Sequence, residues 1–308
     1  MNLPALLNKP QYLYRPTQLL RRLAYRQKSW SADDTTVATL PWGHALECWP
    51  TEMLGSSVMR TGIYDLPVTE ALLRLASRGD QAVDVGANVG HMSSALAHGV
   101  GATGRVTSFE PHPLVAVVLQ RNLNRWRAQA AVGELEFQPV AASDERGVVM
   151  LVTDADFARN RGTSRVMRHA DNARRSDGVH EVRAVRLDEA VSGNIGVLKL
   201  DAEGHEATIL RGAERLLAAG AIRDVVFEEF DPYPTDVTVA VEEAGFVVFG
   251  VLQRLWGPEL VEPAKARDIL WDPPVMVATR NVDRVLKRFR PRGWRALVGP
   301  RSAMRFHR

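Results

Sequence analysis

The stretch Ala82-Val83-Asp84-Val85-Gly86-Ala87-Asn88-Val89-Gly90-His91 decides how this chain is read. A short apolar run ends in an acid and turns through two glycines four residues apart, and Met92 to His98 then continues as a helical segment. Glycine permits the tight turn and a close backbone approach. The helix start behind it presents unpaired N–H groups. Twenty residues after Gly90, the apolar run Arg105-Val106-Thr107-Ser108-Phe109 ends in Glu110. Strand, glycine turn, helix, strand and acid is the plan of a nucleotide-binding β-α-β unit.

The spacing separates the nucleotide ligands. A dinucleotide fold shows G-x-G-x-x-G, which seats a pyrophosphate on the helix N-terminus. Here the spacing is G-x-x-x-G, with Asp84 two residues before the first glycine. A carboxylate there repels a pyrophosphate and suits a ligand with ammonium and sulfonium charges; S-adenosylmethionine carries both. The expected donor-binding set is therefore Asp84, Gly86, Ala87, Asn88, Gly90 and Glu110, with Glu110 accepting hydrogen bonds from ribose hydroxyls. Asp144, after the third strand, is expected to reach the adenine amino group.

Around this unit, strands and helices alternate. Pro67 to Arg78 carries Val68, Ala71, Leu72 and Leu75 at helical spacing. Pro111 to Arg127 reads as a helix, Leu135 to Ala142 as a third strand, and Gly147 to Val152 as a short one. Residues 153–180 are polar and arginine-rich without a period and read as an excursion. His180 to Arg186 alternates, and Leu187-Asp188-Glu189-Ala190 opens a short helix. After the strand at Gly196 to Asp201 comes a helix from Ala207 to Ala219, stopped by Gly220. A strand at Ile222 to Phe227, a helix near Val237 to Ala244 and strands at Phe246 to Val251 and Val275 to Thr279 complete the pattern. It predicts an α/β fold, one doubly wound, mostly parallel sheet with helices on both faces.

A second constellation, Lys199, Asp201, Glu203, His205 and Glu206, lies at the carboxyl end of the predicted fourth strand. Ligands bind at that edge of an open α/β sheet. Lys199 and Asp201 share a face because strand side chains alternate. Asp201 either caps the helix and pairs with Lys199 or accepts a proton from a substrate. Glu203 and Glu206 complement the helix dipole unaided. His205, at the helix start, is either a neutral ring, disfavoured as an imidazolium and suited to accept a proton near neutral pH, or a solvated surface histidine. Asp201, His205 and Lys199 are the candidate catalytic residues, with no metal ligand assigned.

The 308 residues are 45% hydrophobic and 24% charged, ordinary for a globular protein. Cys48 is the single cysteine, which excludes an internal disulfide or a cysteine-rich metal site. No apolar run approaches the roughly 18 residues of a membrane span, and Met1 to Leu7 does not read as a signal peptide. A cytoplasmic protein is expected. The net charge of +3 is uneven: residues 280–308 hold ten Lys or Arg against Asp283 alone. The basic ends read as solvated arms, with nucleic acid or anionic lipid as the other partners such charge attracts. At Tyr12 to Tyr25, leucines alternate with arginines in a loosely amphipathic pattern.

Val83-Asp84-Val85-Gly86-Ala87-Asn88-Val89-Gly90 and Leu198-Lys199-Leu200-Asp201-Ala202-Glu203-Gly204-His205-Glu206, followed by Ile209-Leu210-Arg211-Gly212-Ala213, resemble the FkbM family of S-adenosylmethionine-dependent methyltransferases. Ser108-Phe109-Glu110-Pro111 and Leu187-Asp188-Glu189 fit the same pattern. The resemblance implies a Rossmann-like, seven-stranded methyltransferase fold and O-methylation of a sugar, glycan or secondary metabolite. It divides the chain into a basic arm with a short β/loop extension (1–60), the methyltransferase domain (61–280) and a basic tail (281–308). Three rivals stay open at this point. One is a Mg²⁺-assisted enzyme using Asp201, Glu228 and Glu229. The others are a nucleic-acid methyltransferase and a non-catalytic partner that keeps the fold.

Overall fold

The computed structural model describes residues 9–26, 28–153, 156–167, 178–266 and 274–298. In chain order its strands are β1 (Thr36–Thr39), β2 (Ala45–Cys48), β3 (Gln81–Val85), β4 (Arg105–Phe109), β5 (Glu134–Gln138), β6 (Ala141–Ser143) and β7 (Gly147–Thr153). They continue as β8 (Arg165–Met167), β9 (Gly178–Arg186), β10 (Ile195–Leu200), β11 (Ile222–Glu228), β12 (Val247–Arg254), β13 (Gly257–Val261) and β14 (Val275–Thr279). The main sheet has the order β13-β12-β14-β11-β10-β3-β4-β5. Strands β5, β4, β3, β10 and β11 are parallel, and β14, β12 and β13 add antiparallel pairs. This is the Rossmann-like doubly wound sheet, extended by β13 as an eighth, edge strand. The strand order reverses between β3 and β10, the switch point where such sheets open a crevice.

Alternation along the central strands divides the sheet between two cores. Ala82, Val106, Val197 and Val226 point to one, with the helices Leu66–Leu75, His91–Val100 and Pro113–Arg127. Val83, Leu198, Leu200 and Val225 point to the other, with Glu206–Arg211, Glu214–Ala218 and Asp236–Glu243. Successive strand side chains face opposite sides, so fully apolar strands are buried on both.

Four segments differ from the sequence reading. The third strand breaks at Pro139, which cannot donate to a ladder. Its first half stays in the main sheet as β5, and its second half becomes β6 of a separate sheet with the order β6-β9-β7-β8. The helix expected from Ala207 to Ala219 is interrupted at Gly212, where a β-carbon would lie 1.9 Å from the Ser143 carbonyl oxygen. Within the stretch read as a β/loop extension, Met53–Thr61 is a helix, which Gly62 ends at φ 84°. The fourth difference is the C-terminal segment. Beyond Arg280 the chain forms the helix Val282–Phe289, and Val285, Phe289, Trp294, Ala296 and Leu297 enter the first core.

That segment is held by a buried pair. Arg74 and Glu70 lie one helical turn apart, both essentially inaccessible, with Arg74 Nε 2.6 Å from Glu70 Oε1. Arg74 donates to the carbonyls of Arg288, Pro291 and Gly293, and Glu70 accepts from the Ala296 amide. A charge leaves water only when it is paired and fully hydrogen-bonded. The C-terminal backbone supplies those bonds.

The N-terminal β1–β2 hairpin is fastened as well. Trp42 Nε1 donates to Ser94 Oγ, Trp126 Nε1 donates to the Ala45 carbonyl, and the Asn122 side chain bonds both the N–H and C=O of Glu47. Trp42 and Trp49 are buried and Tyr64 packs against the first core.

Candidate active site

At the carboxyl ends of β3, β4 and β10, the small sheet closes over the main one. Between them lies a small pocket lined from both sheets. Val85, Gly86, Asn88, Glu110 and Asp201 line it from the main sheet, and Ala141, Ala142, Leu151 and Val166 from the small one. Arg161, Gly162 and Ser164, in the segment leading into β8, complete the wall.

The glycines serve the backbone first. Gly86 has φ 72°, and a β-carbon on it would meet the Asp201 carbonyl oxygen at 1.8 Å. At Gly90, φ 94°, the obstruction is Leu119 and Trp126. The two turns therefore let β3 pass beside the end of β10 and let the following helix pack. Gly86 also lines the cavity; Gly90 and Ala87 do not.

Asp84, expected to face the donor, is turned inward. It pairs in register with Lys199 across β3 and β10 and with Ser108 across β3 and β4. It is fully buried, with Oδ1 3.2 Å from Lys199 Nζ and Oδ2 accepting from Ser93 Oγ at 2.6 Å. Its counter-cation is thus a lysine of the protein, and Asp84 does not line the cavity.

Lys199 reaches the other way too. Its ammonium lies 3.2 Å from Asp201 Oδ2 and donates to the carbonyls of Val85 and Gly86. Burial opposes the charged form, but Asp201 and Asp84 outweigh it and hold the pKa above the usual lysine value. The residue therefore stays an ammonium. It fixes Asp201 and does not carry protons. The Asp201 side chain keeps 45% of its surface accessible at the cavity wall, the one carboxylate of the trio that looks outward.

Glu110 is at the end of β4, as expected. Its Oε2 accepts from the Asn88 amide and its Oε1 from the His112 amide, both at 2.9 Å. Burial pushes its pKa up to about 7, against those two amides and Lys199, which lower it. Asp144 and His205 lie outside the cavity lining. An Asp144 oxygen is 3.4 Å from Arg211 Nε, and His205 Nε2 is 3.1 Å from Ser143 Oγ.

Arg161 escaped the sequence reading, which saw only an arginine-rich excursion. Its guanidinium stacks 4.2 Å over Trp49, and its Nε, like Ser164 Oγ, is buried without a hydrogen-bond partner. Phe157, from the same segment, stacks on His112 at 4.3 Å. Phe157, the single aromatic residue of that excursion, was the available signal.

The metal reading does not match the geometry. Glu229 Oε1 accepts from Thr235 Oγ1 at 2.8 Å. Burial, the Asp65 charge and its hydrogen bond, and then Asp201 raise the Glu228 pKa far above the usual carboxylate range. Among the described residues, no three His, Cys, Asp or Glu side chains are grouped to hold a metal ion.

A family model described as the methyltransferase FkbM domain matches residues 84–248. No curated protein matches significantly. Similar solved structures include a methyltransferase FkbM from Methylobacillus flagellatus KT. It is 12% identical, with TM-score 0.41, covering 73% of this chain and 60% of that one. Another is an S-adenosylmethionine-dependent O-methyltransferase from Thermotoga maritima, 14% identical, with TM-score 0.41 and coverage of 80% and 77%. Fibrillarin from Aeropyrum pernix, solved with natively bound S-adenosyl-L-methionine, is 13% identical, with TM-score 0.40 and coverage of 81% and 84%.

Proposed function

The chain belongs to the FkbM methyltransferase family and uses S-adenosylmethionine as methyl donor, and from this premise we propose that it methylates a hydroxyl oxygen of a sugar, glycan or hydroxylated secondary metabolite. The observation that carries the choice of acceptor is Asp201, a carboxylate anchored by a buried ammonium and accessible at the cavity wall. An alcohol is a poor nucleophile until a base accepts its proton. A thiolate or a free amine needs no such group.

The cavity suits the donor on its own chemistry. Its apolar walls fit an adenine, Glu110 offers carboxylate oxygens to ribose hydroxyls, and the buried, unpartnered Arg161 Nε and Ser164 Oγ fit the donor's carboxylate. When bound, S-adenosylmethionine supplies a methyl group on a positively charged sulfur. The protein's task is to orient the acceptor, exclude water and take up the proton. Lys199 holds Asp201 toward the cavity for the last of these, and His205, beside Ser143, supports the turn that follows.

Labelled donor incubated with a panel of glycans and hydroxylated metabolites is expected to give a product heavier by one methyl on oxygen. Label recovered only on nitrogen or carbon acceptors would overturn the choice.

Glu110 makes donor binding pH-dependent. Hydrogen bonds from the ribose favour the ionised carboxyl, so binding releases a proton wherever the free enzyme holds one. Affinity is expected to rise with pH to about 7 and then level off, approaching tenfold per unit well below that value. For folding the sign is opposite. A carboxyl raised in the native state binds more protons than in the unfolded chain, so its contribution to stability falls as pH climbs from the ordinary carboxylate range through about 7. Calorimetric titration of S-adenosylhomocysteine across this range checks the first sign, and a flat profile would contradict it.

A further inference from the structure

The helix Gln18–Arg26 is built inside out. Successive residues of an α-helix turn by about 100°, which puts Leu19, Leu20, Leu23 and Ala24 on one side and Gln18, Arg21, Arg22 and Tyr25 on the other. In a globular protein the leucine side faces the core. Here it faces solvent, with Leu19, Leu20 and Leu23 53%, 68% and 57% accessible. Gln18 is fully buried, and Tyr25 OH donates to the Pro50 carbonyl at 2.7 Å.

The polar side has its own reason to be inside. It docks on the carboxyl end of the helix Met53–Thr61, where Gly62 leaves room for the guanidinium groups of Arg15 and Arg21. Cations are stabilised at that end of a helix dipole. The arginines are thus held inward by a defined partner, and the leucine row is left over.

Charge decides what covers it. Residues 1–32 contain six Lys or Arg and no acid. Lys9, Arg26 and Lys28 are exposed around the leucines, and Leu13 adds a fourth exposed leucine. The Tyr14 ring lies beside Gly293, which brings the exposed Arg292 of the C-terminal segment, itself rich in exposed Lys and Arg, to the arm. A second copy would set these like charges against each other. We infer that this face seats on an anionic lipid bilayer, with the leucines entering the headgroup–acyl boundary and the cations facing lipid phosphates. Among the described residues no helix is long and apolar enough to cross a membrane. The enzyme lies on the surface.

The full chain is tested by co-sedimentation with vesicles of phosphatidylcholine alone and of phosphatidylcholine with about one-third phosphatidylserine, at roughly 0.1 M salt. Binding is expected to the anionic vesicles, at least tenfold weaker to the neutral ones, and weakened by added salt. The triple variant Leu19→Ser, Leu20→Ser, Leu23→Ser alters only solvent-facing positions. It is expected to keep its circular dichroism and its donor affinity while losing at least tenfold in vesicle binding. Equal binding by the variant, or none by the parent chain, overturns the inference. So does a dimer in sedimentation velocity that the triple variant abolishes, which would assign the leucine row to a second copy.

Discussion

A chain ending at Arg280 is expected to lose cooperative folding. Truncation removes Val285, Phe289, Trp294 and Leu297, all buried in the first core. Burying such side chains contributes about 1.5–3 kcal/mol each, so the four together are worth roughly 6–12 kcal/mol as an upper bound. A whole domain has only about 5–15 kcal/mol of net stability. The loss also strips Arg74 of its three carbonyl partners and uncovers its pair with Glu70. Thermal melting followed by circular dichroism checks this. A truncated chain melting within about 5 °C of the full one would show that the segment packs without contributing.

The basic tail expected from the sequence is therefore partly core, and its charge is what hid it. The helix Val282–Phe289 presents only Val285 and Phe289 inward, among Arg284, Lys287 and Arg288. Val282, Val285, Leu286 and Phe289 do stand at the helical spacing i, i+3, i+4 and i+7, but the basic composition of the segment outweighed that signal. The partners that use those cations, Asp224 and the carbonyls around Leu75, come from elements about 60 and 200 residues away. Arg74 and Glu70 misled in the same way: an i,i+4 pair on a helix reads as a solvated salt bridge until another segment covers it.

The central β-α-β unit was legible because its signals are local. A glycine turn, an acid at a strand tip and period-two burial need no distant residue to be read. Register is not local. That Asp84 faces Lys199 across β3 and β10 follows only once the two strands are paired, 115 residues apart. Without that pairing a buried carboxylate beside a glycine turn reads as a ligand contact. Likewise β6 and β9 form their own parallel pair only after Pro139 breaks the third strand, and only then does the excursion carrying Arg161 come to face the cavity.

Replacing Asp201 by Asn is expected to lower kcat by about 10²–10⁴, the usual contribution of a general base. The substitution keeps the shape and an oxygen for the Lys199 ammonium 3.2 Å away, so folding stability is expected to change little by comparison. Donor affinity is expected to hold within about threefold, since an amide of the same shape replaces the carboxylate at the cavity wall. A loss confined to kcat separates a proton acceptor from a binding group. His205 supplies the internal control. The sequence made it a candidate beside Asp201, whereas the structure sets its Nε2 against Ser143 Oγ, outside the cavity lining. His205→Asn should therefore cost less than Asp201→Asn, and the pH–rate profile should keep its shape. If both variants fell equally and non-additively, the two residues would act as one unit. An Asp201→Asn enzyme with kcat within about threefold of the parent would remove the carboxylate from the proton transfer altogether. The next residue to test would be Glu203, on the same turn at φ 50°, whose pKa burial and the neighbouring Asp201 and Glu206 push up to about 7.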